Sequence, residues 1–87
     1  MSGDVVSELR KQIDELDREI VVAVNRRLEL VAALKRHKDE HGIAFVDPHR
    51  EEQMLAERER ENAGPLSVEG LRSFYAGLLA LCKRELG

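Results

Sequence analysis

Residues Asp4–His41 read DVVSELRKQIDELDREIVVAVNRRLELVAALKRHKDEH, with neither glycine nor proline and an apolar residue returning every three or four positions. That period marks one face of an α-helix, and with no breaker inside the stretch nothing ends it early. At about 1.5 Å per residue the helix spans roughly 57 Å, far more than a compact chain of this size needs. In heptads, one row holds Val6, Ile13, Ile20, Arg27 and Leu34, the next Leu9, Leu16, Ala23, Leu30 and His37, and a third Arg10, Asp17, Val24, Val31 and Lys38. Arg27 therefore interrupts an apolar seam, where a guanidinium must be paired, solvated or bound to an anionic ligand.

Lys38 lies eleven residues beyond Arg27, which returns it to within roughly 20° of the same face, about 16 Å along the axis. Two long cationic side chains can then converge on one small anion. Arg10 precedes Arg27 by seventeen residues, about 26 Å away and rotated by roughly 100°, so it cannot reach the same small ligand from its own helix, whereas the Arg10 of a second, antiparallel copy could. On the first helix alone two readings stay open, an anion site and a seam charge that sets register or oligomeric state.

The 87 residues, 43% hydrophobic, 36% charged and only 3% aromatic, suit one small all-helical domain over residues 1–87. A monomer built on so long a helix leaves much of its apolar face wet, so an intertwined homodimer is expected. The net charge of −3 offers nothing to a nucleic-acid backbone or an anionic membrane, and the cations must act locally. No apolar signal core opens the chain and no stretch reaches the length of a membrane span, so a cytoplasmic protein is expected. The single cysteine, Cys82, reads as a small buried hydrophobe. His37 and His41 stand four apart without a third ligand, so no metal is expected.

The first helix should start at Asp4 or Ser7 as cap, carry outer pairs such as Asp14 with Arg18, and stop at Gly42. The link 42–46 is apolar for a loop and should pack over something. In Asp47-Pro48-His49-Arg50-Glu51-Glu52, Asp47 is an N-cap, Pro48 suits the first helical position, and the glutamates favour the dipole. Arg50 opposes that dipole and needs another reason to be there. A second helix runs to about Asn62, before Gly64-Pro65, and a third starts at Ser67 with Leu71, Phe74, Tyr75, Leu78, Leu79, Cys82 and Leu86 on one core stripe.

Arg10, Arg27, Lys38, Asp47, Arg50 and Glu51, in this order and spacing, resemble the functional positions of the AroQ-type, all-helical chorismate mutases over nearly the whole chain. The resemblance implies three helices per protomer, first helices intertwined in a dimer, two sites shared between subunits, and no cofactor. It further implies that Arg10 of the partner subunit and Arg27 clamp the two carboxylates of chorismate, and that Lys38 donates to the ether oxygen. The Asp47 backbone and Glu51 would take the ring hydroxyl, and Arg50 would orient the polar edge. Related enzymes acting on isochorismate or aminodeoxychorismate tend to lack a glutamate directly after this arginine, so Glu51 favours chorismate; those substrates, and a non-catalytic regulatory dimer binding chorismate or prephenate, are the alternatives. Two positions depart from the pattern. Cys82 stands where a serine often meets a substrate carboxylate, and Leu86 where a glutamine or glutamate supplies a second ether donor. Short family members with incomplete third helices gain activity from the first enzyme of the shikimate pathway, which makes such a partner an expectation here.

Overall fold

The computed structural model describes residues 2–87, in which three α-helices follow one another: α1 (Ser2–Glu40), α2 (Pro48–Glu61) and α3 (Val68–Leu86). The long first helix sets the shape, and the molecule measures 61 × 24 × 18 Å. None of the helices among the described residues is long and apolar enough to cross a membrane.

α1 begins earlier than the sequence suggests, at Ser2, so Asp4 sits inside the first turn rather than capping it and Ser7 is interior. Asp4 still favours the helix there, because its charge faces the positive end of the dipole. Among the described residues the expected Asp14–Arg18 pair does not form, and α1 carries the ion pairs Arg26–Glu29 at 3.3 Å and Lys35–Asp39 at 3.9 Å. Exposed pairs of this kind add little to stability, so which of them forms matters little to the fold.

The stop at Gly42 follows the expectation. Gly42 takes φ +65, the Ile43 N–H donates to Lys38 O at 2.8 Å and the Gly42 N–H to Asp39 O at 3.4 Å. These are the two bonds of a Schellman ending, which favours glycine at the left-handed position. The His37 and His41 rings stack at 4.1 Å, and His41 Nδ1 donates to the His37 carbonyl at 2.8 Å. This satisfies one more carbonyl of the last turn.

Asp47 caps α2 as read from the sequence, its Oδ1 accepting from the Arg50 N–H at 3.1 Å, with Pro48 opening the helix. Asn62 ends it and holds the turn to α3 by donating from Nδ2 to Leu66 O at 2.8 Å. Ser67 then caps α3 by accepting from the Gly70 N–H at 3.0 Å. Leu66 folds back so closely that a Cβ on Gly70 would meet its Cδ1 at 3.0 Å.

α3 is the element on which both other helices pack. Arg72 clamps α2 to it, bonding Glu59 and, at 3.1 Å, Glu52, and the first of these bonds, then the second, raise its already high pKa further. Among the described residues only Leu71 and Cys82 are nearly sealed from water, at 4% and 3% exposure. Phe74, expected on the core stripe, is instead exposed and meets Tyr75 edge-on. α1 and α2 leave part of the α3 stripe uncovered, and Phe74 lies at that margin. Every described side chain from residue 3 to residue 23 of α1 is likewise exposed, including Val6, Leu9, Ile13, Leu16 and Ile20. This arm carries a continuous apolar stripe of the kind that marks an interaction face.

Candidate active site

Beyond the arm, α1 turns Val24, Arg27, Leu28, Val31, Lys35 and Lys38 partly out of water. Arg27, Val31, Leu34 and Lys38 recur at helical spacing and line one side of a cleft of about 200 Å³. α2 supplies the second side through its capped first turns, Asp47, Arg50, Glu51 and Met54, again three and four residues apart. α3 closes the third side with Leu79, Cys82 and Lys83, and the link contributes Phe45 and Val46. The apolar character of that link is thus explained in part: Phe45 packs inward, while Ile43 and Val46 stay largely exposed.

Six of the residues singled out from the sequence meet here: Arg27, Lys38, Asp47, Arg50, Glu51 and Cys82. Arg27 Nη1 donates to Cys82 Sγ at 3.0 Å, so the buried thiol orients the seam guanidinium toward the cleft. Lys38 Nζ donates to the Phe45 carbonyl at 3.4 Å, tying the end of α1 to the link. The Glu51 N–H donates to the Asp47 carbonyl at 3.1 Å, fixing the turn that carries both acids. Among the described residues, Arg27, Lys38 and Arg50 form no ion pair. On a chain of net charge −3, the cleft gathers four cations against two carboxylates. Three of those cations have no carboxylate to answer them, and a planar fork such as Arg27 or Arg50 suits a carboxylate ligand in particular.

Arg10 and Leu86 do not join this group. Arg10 stands on the exposed arm, seventeen residues from Arg27, about 26 Å along the axis. Leu86 is half-buried at the last turn of α3, outside the cleft lining. Lys83 is the charged residue that sequence reasoning missed. Its Nζ lies 3.2 Å from Glu51 Oε1, joining α3 to α2 inside the cleft. Its spacing from Leu79, one helical turn, was the available signal.

The arrangement has close counterparts. The chain spans only about a sixth of the curated relatives it matches: the T-protein of Haemophilus influenzae is 41% identical over 63 residues, which is 70% of this chain and 17% of that protein. The T-protein of Enterobacter agglomerans is 39% identical over 56 residues, 64% of this chain and 15% of that protein. The structure of chorismate mutase (form II) from Thermus thermophilus superposes with a TM-score of 0.88 at 34% identity, covering 91% of this chain and 90% of the other. With the pattern of chorismate mutase type II matching residues 9–85, and with helices and cleft arranged as they are, this chain belongs to the chorismate mutase type II family.

Proposed function

We propose that the chain is a chorismate mutase, rearranging chorismate to prephenate in aromatic amino-acid biosynthesis, within the single three-helix domain of residues 1–87. The observation that carries this reading is the cleft whose Arg27, Lys38 and Arg50 lack carboxylate partners while apolar walls from all three helices surround them. The reaction is an isomerisation in which the ether C–O bond breaks as a C–C bond forms. It needs no nucleophile, base or cofactor, only a site that holds the reactive conformer and favours negative charge on the departing oxygen.

Arg27 binds one carboxylate of the substrate, and Arg10 of the partner subunit reaches in to bind the other. Lys38 donates to the ether oxygen, where charge develops. The Asp47 backbone and Glu51 take the ring hydroxyl, Arg50 orients the polar edge, and Cys82 lies behind Arg27. The exposed apolar stripe of the α1 arm supports the homodimer this division requires. We further infer a cytoplasmic enzyme. With Leu86 outside the cleft, a shikimate-pathway enzyme that completes the end of α3 is the proposed partner, and higher turnover on adding that enzyme is the expected sign of it.

Loss of chorismate absorbance on adding the purified protein, with products resolved by chromatography, tests the reading. Prephenate without pyruvate is expected. Pyruvate release would assign a lyase acting on isochorismate, and a dimer that binds chorismate without turning it over would assign a regulatory role. The position of Leu86 is the observation that favours this second reading.

A further inference from the structure

Lys83 lines the cleft and pairs with Glu51, yet it has no part in the roles assigned above. Nζ and Oε1 are 3.2 Å apart, and the two side chains are 45% and 30% exposed. The pair is therefore partly withdrawn from water, where its charges are screened less than at an open surface. It also stands between two depressions, because Glu51, Leu79 and Lys83 line both the cleft and a second hollow between α2 and α3.

We propose that Lys83, through this pair, is a specificity-determining residue that admits a ring hydroxyl and rejects a ring ammonium. The inference rests on the reading that Glu51 takes the ring substituent. An ionised carboxylate only accepts hydrogen bonds and an ammonium only donates them. A hydroxyl does both, so it can donate to Glu51 and accept from Lys83 without separating their charges far. An amino group at the same ring position is positively charged at neutral pH. It can donate to the free oxygen of Glu51 but cannot accept from Lys83, so two like charges face each other across one carboxylate, in a cleft that already holds Arg27, Lys38 and Arg50. Discrimination of this kind comes from an unfavourable contact built against the wrong ligand. Glu51 alone would do the opposite, since an unpaired carboxylate attracts an ammonium.

The test is kcat/KM for chorismate and for aminodeoxychorismate, measured with the wild type and with Lys83→Met and Lys83→Arg. Methionine keeps the length and helix preference of lysine, and a half-exposed ion pair adds little to stability, so the variant folds; its melting curve checks this. The expected result is a rise of at least about tenfold in the ratio of amino to hydroxyl substrate for Lys83→Met, the scale of a like-charge contact removed, with Lys83→Arg close to wild type. A ratio unchanged in Lys83→Met, or raised as far by Lys83→Arg, overturns the inference while leaving the mutase reading intact. Wild-type protein that turns over neither substrate, alone or with the proposed partner enzyme added, overturns that reading, and the inference with it.

Discussion

Replacing Ile13 and Leu16 together by alanine tests whether the arm of α1 is a dimer face. Both side chains sit on the exposed stripe, at 55% and 57% exposure. Burying an Ile or Leu completely gains about 1.5–3 kcal/mol, so a partner that covers the remaining half of each supplies roughly 1 kcal/mol per residue. Two residues on each of two symmetric chains bring this to about 4 kcal/mol, of which alanine retains a part. The loss should weaken dimerisation by about 10²–10³-fold. Alanine is also the better helix former, so the protomer itself is not weakened. Sedimentation velocity over a dilution series reads the dissociation constant, and turnover per mole across the same series should fall in step, because a site that takes Arg10 from the partner is lost when the chains part. A wild type that sediments as a single chain at micromolar concentration, or a double variant within about threefold of the wild-type constant, refutes the reasoning.

Lys38→Met should lower kcat by about 10²–10³-fold, the usual loss of one donor to a developing oxyanion, with an unchanged sedimentation profile. Cys82→Ser keeps an acceptor against Arg27 and should leave KM for chorismate within about threefold, whereas Cys82→Val, which removes that acceptor, should raise KM. Mixing Arg10→Ala chains with Arg27→Ala chains should restore turnover that neither has alone, up to about a quarter of the wild-type value, since half the random dimers contain one intact site of two. Activity no greater than that of the separate variants, once the chains have been shown to exchange, would mean that Arg10 and Arg27 do not meet in one site across the dimer.

What the sequence made legible was mostly what local chemistry decides. Asp47-Pro48, Ser67 and Gly42 name their positions through dihedral preference and capping, and each caps or ends a helix as read. Arg27, Lys38, Asp47, Arg50 and Glu51 carry recognisable spacing, and the fold brings them to one cleft. The start of α1 was harder to read because Asp4 stabilises a helix from inside the first turn as well as from the cap. Phe74 has the periodicity of a core residue, but periodicity does not say whether the covering surface belongs to the same chain. Lys83 escaped because its partner, Glu51, is thirty-two residues away and becomes a neighbour only through the packing of α2 on α3. Charges acquire their meaning there from tertiary contact rather than from local order.

Between Arg10 and Arg27, α1 has no glycine, proline or turn. The separation of these two guanidiniums is therefore a count of residues and nothing else. One residue inserted in that interval advances everything upstream by about 1.5 Å and turns it by about 100°, which carries Arg10 off its face; the link 62–67 can absorb the same insertion. Side chains along the interval are free to exchange as long as the stripe stays apolar, but its length is not. The arm is a ruler, and descendants of this chain should vary in what is written along it while keeping its graduation.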